Sequence, residues 1–292
     1  MIPIAAARPS TALRRAVLAF SLREPGPLAD LVLRDSGITL PGGAVVRWRE
    51  LIDGCGPDGP GLVRRVARWL RLRHRLSVLA LAGPDPLLAA VRPLALPIGH
   101  AVHPGPCWPV REVLGGSLEL GLGLAGVDDD GRRADGRVGV LPLDLACAAG
   151  ADPDALVAQA ERYLADMALL AAERLLRSPA TPLRPLGDCD VVTLLAAPAF
   201  RTAIVRDAPG VVGLRSAAVP VRRRGWLDLG RVDPAFALTA ASLTDEPERG
   251  FLRPLLITAD EVVQVRDGGN PERYALSDPL APDRVEPVQR LH

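Results

Sequence analysis

The sequence contains no lysine, so all 35 of its strongly basic side chains are arginine. A P-loop uses a lysine to reach the β- and γ-phosphates, and a protein kinase carries one on its third strand. Pyridoxal phosphate enzymes and Schiff-base aldolases need a lysine amine as nucleophile. The absence of lysine therefore excludes these four classes of enzyme.

Other residues with AT-rich codons are also scarce: asparagine occurs once, and phenylalanine, tyrosine and methionine are rare. This pattern indicates a GC-rich bacterial genome, and selection against lysine modification is the alternative explanation. The four cysteines are far apart and form no CxxC pair, which argues against a disulfide framework. They are Cys55, Cys107, Cys147 and Cys189.

No stretch of the sequence reaches the ~20 uninterrupted apolar residues of a membrane-spanning helix. The arginine-containing N-terminal segment is followed by no small-residue cleavage motif of the kind that ends a signal peptide. We therefore expect a soluble, cytoplasmic protein. With 48% hydrophobic and 24% charged residues in 292, it has the composition of one large globular domain or two small ones.

Three Asp-Pro pairs predict helix starts, because aspartate caps a helix and proline suits its first position. They begin at Asp85, Asp152 and Asp233, and the second opens the longest predicted helix, from about 152 to 177. Alternating leucines over Ser117–Val127 predict a strand with one buried face. The segment 128–136 then predicts a hairpin loop that returns through Arg137–Leu143.

Further strands are predicted at Val45–Trp48, Leu76–Leu81, Val191–Ala196, Val211–Val221 and Leu252–Ile257. Two of them begin strand–helix–strand segments, and this interleaving favours a mixed α/β or α+β fold. We expect two subdomains. An N-terminal one over 1–150 ends in the β-hairpin, and a C-terminal one over 151–266 contains the long helix. A weakly ordered tail over 267–292 follows.

Three short motifs resemble known ligand-binding motifs. The string from Gly121 to Gly126 matches the GxGxxG dinucleotide fingerprint, but a turn follows it where the fingerprint requires a helix. The run Asp128–Asp130 lacks the ligand spacing of a calcium loop and is better interpreted as a hairpin tip. The triplet Asp188–Asp190 has the DxD form of a metal–nucleotide site, a pattern short enough to arise often by chance.

The densest group of reactive side chains is His100, His103 and Cys107. Imidazole and thiolate are the preferred ligands of zinc, and the HxxHxxxC spacing lets three ligands converge from one loop. A fourth ligand could be Cys189, Cys55 or water, and Cys107 could alternatively be a nucleophile activated by either histidine. Four surrounding prolines favour the third interpretation, a structural connector without chemistry.

A predicted helix between residues 61 and 76 carries six arginines and no acid. Four of them recur at helical spacing and form a basic stripe: Arg64, Arg68, Arg71 and Arg75. Like charges at these spacings repel, so the stripe requires anions nearby. They could be carboxylates of another segment, phosphates or a partner protein. A second basic cluster is Arg222, Arg223 and Arg224, for which intramolecular neutralisation is the alternative to ligand binding.

The G-x-S-x-G elbow and the HExxH metalloprotease motif are both missing, and a net charge of +1 argues against a dedicated nucleic-acid binder. We therefore expect a non-catalytic adaptor, assembly or regulatory protein that binds an acidic partner through arginine-rich surfaces. We also expect the substitutions Arg68→Glu and Arg71→Glu to abolish that binding without unfolding the protein.

Two alternatives stay open. One is a zinc- or thiol-dependent hydrolase or transferase that uses His100, His103 and Cys107. The other is a binder of a phosphorylated small molecule, a nucleotide or a nucleic acid, through the cluster at Arg222–Arg224.

Overall fold

The computed structural model describes residues 8–102, 108, 111–114, 117–178, 182–206, 213–228 and 233–265. Its first part is mainly helical, around a small antiparallel sheet of order β1-β2-β3. The helices are α1 (Thr11–Ser21), α2 (Trp48–Cys55), α3 (Leu62–Leu81) and α4 (Pro84–Ala90). The strands are β1 (Val32–Leu33), β2 (Gly37–Thr39) and β3 (Val45–Arg47).

A second antiparallel sheet, the central sheet, follows α4. It comprises β4 (Val91–Pro97), β5 (Arg111–Val113), β6 (Leu118–Val127) and β7 (Arg133–Val140). Strand β4 pairs along one edge of β6, whereas β5 and β7 share the other edge. The predicted hairpin is confirmed as β6 and β7, although its return strand begins at Arg133 and not at Arg137. The GxGxxG string lies inside β6, where it opens no helix.

After α5 (Leu143–Ala148) the chain forms α6 (Pro153–Arg177), which confirms the predicted long helix. Asp152 caps it by accepting a hydrogen bond from the backbone N–H of Asp154 at 3.2 Å. Arg174 and Arg177 lie in its last turn, where a cation is favoured by the helix dipole.

The C-terminal part contains α7 (Val191–Leu195), α8 (Pro198–Arg206) and α9 (Pro234–Ser242). Its strands are β8 (Arg215–Val221), β9 (Arg224–Leu227), β10 (Leu255–Ile257) and β11 (Val262–Gln264). They form a third antiparallel sheet of order β11-β10-β8-β9. The mixed fold class is confirmed, and every strand pair in the described residues is antiparallel.

Two of the predicted strands are wrong. Leu76–Leu81 forms the last turns of α3, and the segment predicted as Val191–Ala196 contains α7. Short apolar runs fit a buried helix as well as a strand, so periodicity alone cannot separate the two. For α7 the deciding contact is a cap, because the Asp190 carboxylate accepts a hydrogen bond from the Thr193 N–H at 2.7 Å.

Two large apolar cores hold the fold, one among α1–α5 and the first sheet, the other among α7, α8 and the third sheet. The helix α6 and the central sheet contribute to both cores. Leu156 and Ala160 belong to the first core, and Leu164 and Ala168 to the second. The described helices include none long and apolar enough to cross a membrane.

Candidate partner-binding groove

A groove with a volume of about 1210 Å³ runs along α3. Residues 19–28, from the end of α1 and the loop after it, form one wall, and residues 126–133 at the tip of the β6–β7 hairpin form the other. Residues 61–78 of α3 and the turn before it form the floor. We call this site the α3 groove.

The hairpin tip is fixed against α3 by backbone geometry. The Asp128 carboxylate accepts hydrogen bonds from the backbone N–H groups of Asp130 at 2.9 Å and Arg132 at 2.8 Å. Gly131 has a φ of +71°, and a Cβ there would lie 3.0 Å from the backbone oxygen of Arg68. The three aspartates therefore form a tight turn that packs directly on the helix, as the hairpin-tip interpretation predicts.

Five floor residues lie on one face of α3, at spacings of four, four, three and four: Val63, Ala67, Arg71, His74 and Val78. Val63 is 42% exposed and Val78 is 44% exposed. At about 1.5 Å of rise per residue, the floor is roughly 25 Å long. The α3 groove is therefore long enough for an extended peptide, and its floor is partly apolar.

The groove concentrates positive charge. Six arginines line it against two carboxylates, whereas the whole chain carries a net charge of only +1. His74 adds no charge near neutral pH, because burial lowers its pKa from the ordinary value. The arginines are Arg23, Arg64, Arg71, Arg75, Arg132 and Arg133, and the carboxylates are Glu24 and Asp130.

Two arginines of the predicted stripe are neutralised by carboxylates from other segments. Arg71 donates to both carboxylate oxygens of Glu24, at 2.7 and 2.5 Å, and also to the backbone oxygen of Asp130 at 3.0 Å. This pair is largely buried and ties α1, α3 and the hairpin together. Arg64 donates to the Asp130 carboxylate at 2.6 Å, but its own side chain is 66% exposed.

Arg68 does not line the groove. Its side chain is partly buried near the hairpin tip, where burial lowers its pKa and the carboxylates of Asp129 and Asp130 partly offset that effect. One of its Nη atoms is buried without a hydrogen-bond partner. Since Arg71 is largely buried with Glu24 and Arg68 is partly buried, we expect reversal of both charges to destabilise the protein.

Arg75 is also an exposed member of the stripe, and unlike Arg64 its side chain has no hydrogen bond or ion pair with any described residue. Arg23, on the wall formed by residues 19–28, is also exposed, and its side chain is unpaired within the described residues. Sequence reasoning missed Arg23, Arg132 and Arg133 because they are distant from the stripe along the chain. They line the same groove as the stripe because the fold places residues 19–28 and 126–133 on either side of α3.

The second predicted cluster is not a single surface. Arg222 is 6% exposed and donates to the Asp190 carboxylate at 2.7 and 2.8 Å. Arg223 donates to the backbone oxygen of Gly136 at 2.8 Å, and Arg224 stacks over the ring of Trp226. The three arginines therefore have separate partners, and Arg222 is part of the interior.

Of the predicted metal ligands, His103 and Cys107 lie outside the described residues. His100 is 8% exposed, with Nε2 2.8 Å from the backbone oxygen of Arg249 and Nδ1 accepting from the Val102 N–H at 3.3 Å. Both ring nitrogens are thus engaged by backbone groups. No group of three His, Cys, Asp or Glu among the described residues is placed to hold a metal ion.

The remaining candidates also have structural surroundings. Burial raises the pKa of the Cys55 thiol to about 12 and raises that of Cys189 as well, so neither is a ready thiolate. The Asp188 carboxylate accepts a hydrogen bond from Arg92 at 2.6 Å, and Asp190 is paired with Arg222. The two acids of the DxD triplet are therefore each occupied by an arginine.

Comparisons of the chain with protein-family models, with curated proteins and with solved structures found no match in any of the three.

Proposed function

We propose that the protein is a non-catalytic adaptor, assembly or regulatory protein that binds an acidic, partly apolar protein segment in the α3 groove. The observation that carries this proposal is the charge of the groove. Six arginines face two carboxylates there, in a chain whose net charge is +1. A concentrated positive potential in a cleft attracts an anionic partner and speeds its association.

The floor of the groove favours a protein segment over a nucleic acid. Val63 and Val78 expose apolar surface between the arginines, which suits a peptide that alternates acidic and apolar side chains. Single-stranded nucleic acids usually stack their bases on accessible aromatic rings. Among the described residues that line the groove, the one phenyl or indole ring is that of Phe20, which is only 3% exposed.

The arginines of the groove would contribute unequally. Arg23 and Arg75 are exposed without partners among the described residues, so they can pair with an incoming carboxylate at no cost to the fold. Arg64 is exposed and could exchange Asp130 for a partner, since exposed ion pairs are worth only about 0–1 kcal/mol. Arg71 would stay with Glu24 and keep the groove in shape.

The test uses defined probes and fluorescence anisotropy. The first probe is a fluorescein-labelled peptide of about eight residues that alternates glutamate and leucine, because eight extended residues span roughly the length of the floor. The second alternates glutamate and serine, and the third is a single-stranded oligonucleotide of similar charge. We expect the glutamate–leucine peptide to bind at least tenfold more tightly than either of the others.

The matched variants separate the α3 groove from general attraction to a basic protein. Arg23→Glu with Arg75→Glu should weaken binding of the glutamate–leucine peptide at least tenfold. The control is Arg184→Glu with Arg206→Glu, which reverses two exposed arginines outside the groove and should change affinity less than twofold. Equal effects of the two double variants, absence of peptide binding, or tighter binding of the oligonucleotide would each overturn the proposal.

A further inference from the structure

A second concave site lies between α6 and the central sheet, with a volume of about 310 Å³. Its sheet wall is one face of three neighbouring strands. Pro93 of β4 pairs with Leu122 of β6, and Arg111 of β5 pairs with Leu120 of β6. Residues that pair directly, or that stand two apart on one strand, share a face of the sheet. All four side chains therefore face α6.

The helix wall consists of Val157, Ala160, Glu161 and Leu164, at spacings of three, one and three on one face of α6. The helix packs mainly on β4 and touches β6 at fewer positions. The looser packing on β6, together with the small side chain of Ala160, leaves room for the pocket.

The pocket lies where the two cores meet. Leu122 and Ala160 belong to the first core, and Leu120 and Leu164 to the second. These four side chains are each less than 9% exposed, so the inner part of the pocket is apolar and its side chains are packed within the two cores. Small-molecule sites occur preferentially at such junctions and range from about 300 to 1,000 Å³.

The mouth of the pocket carries its charged groups. Arg111 Nη1 lies 3.3 Å from a carboxylate oxygen of Glu161, and the two side chains are 63% and 53% exposed. An ion pair this exposed is weak and exchangeable. The Arg111 guanidinium has five donors in a planar fork, and Glu161 engages one Nη atom, so most of the fork is available for a second carboxylate.

We propose that this pocket binds a small apolar carboxylate, such as a medium-chain fatty acid. The apolar part lies between the leucines of β6 and Leu164, and the carboxylate pairs with Arg111 at the mouth. The site is separate from the α3 groove and its ligand is of another class, so this inference does not depend on the proposed partner.

Isothermal titration calorimetry with three ligands of equal chain length tests the chemistry. Octanoate, octanol and octylamine share the apolar part and differ in the head group. Octanoate is expected to bind most tightly. Arg111→Gln should weaken octanoate about tenfold and octanol less than twofold. Tighter binding of octylamine would show that Glu161, and not Arg111, binds the head group, and would overturn the carboxylate proposal. A dissociation constant for octanoate above about 1 mM would also overturn it.

A pair of substitutions on α6 tests the location. Val157→Trp introduces a bulky side chain at the rim, at a position that is 38% exposed, and should abolish binding of octanoate and octanol alike. Leu169→Trp makes the same kind of change at a position on α6 that is 57% exposed and outside the pocket. It should leave both affinities unchanged. If the two variants behave alike, with melting temperatures showing that both are folded, the pocket is not the site.

Discussion

Arg222 and Arg75 carry the same charge in opposite surroundings. Arg222 is 6% exposed and shares two contacts with the Asp190 carboxylate, which also caps α7. Arg75 is exposed on the α3 groove and contacts no acid among the described residues. Arginine is the only strongly basic residue in this protein, and burial distinguishes two uses of it. Buried arginines stabilise the fold, whereas exposed arginines are free to bind a partner.

The largest effect is expected at Arg222. The substitution Arg222→Met leaves the Asp190 carboxylate buried without its cation, which typically costs about 3–5 kcal/mol of unfolding free energy. Urea denaturation measures the loss. Arg223→Met, at the adjacent exposed position, is the control and should cost less than about 1 kcal/mol. Similar losses in the two variants would show that burial is not what distinguishes these arginines.

Arg71 is intermediate, because it lines the groove but is largely buried with Glu24. Arg71→Glu places two carboxylates together and should cost about 2–4 kcal/mol. Adding Glu24→Arg to this variant restores opposite charges and should recover at least half of the loss in urea denaturation. A double variant no more stable than Arg71→Glu would contradict the assignment of this pair as the link between α1 and α3.

A smaller effect is expected from pH at His100, whose pKa is lowered chiefly by burial. The unfolded chain takes up a proton below about pH 6.5, while the folded chain resists it. Stability should therefore fall as the pH decreases from about 7 towards the folded pKa, by up to about 1.4 kcal/mol per pH unit. His100→Gln should remove this part of the slope when urea denaturation is compared at pH 7.5 and 5.5. Parallel slopes for the two proteins would exclude His100 as the cause.

The smallest effect on stability is expected at Arg75. Because its side chain is exposed and unpaired within the described residues, Arg75→Ala should change the unfolding free energy by less than about 0.5 kcal/mol. Peptide affinity in the anisotropy assay should nevertheless fall. If the Arg75→Ala variant is destabilised, or if it binds the peptide as tightly as the unchanged protein, Arg75 does not differ from Arg222 in the way proposed.

Local signals predicted the parts of the fold that depend on neighbouring residues. The Asp152-Pro153 pair marks the start of α6, and the alternating leucines of Ser117–Val127 mark β6. The short apolar runs at 76–81 and 191–196 gave the wrong secondary structure. Their helical form depends on the continuation of α3 and on the cap by Asp190, which outweigh the β-branched residues of α7.

The α3 groove could be predicted only in part. A stripe of arginines without acids nearby in the sequence indicated that anions must approach α3, and the structure places Glu24 and Asp130 there. Those two residues are 47 and 66 positions from their partners along the chain, and a single sequence does not record such distances. For the same reason the sequence did not show that Arg23 lies beside the stripe, or that Arg68 is partly buried while Arg75 is exposed.

The helix α6 has a further consequence for how the protein loses its structure. Its N-terminal half packs in one core and its C-terminal half in the other, along 25 continuous residues. Local melting of either core would leave half of the helix without support, and helix formation is itself cooperative. We therefore expect both cores to melt together in one calorimetric transition, with α6 as the element that makes their unfolding concerted.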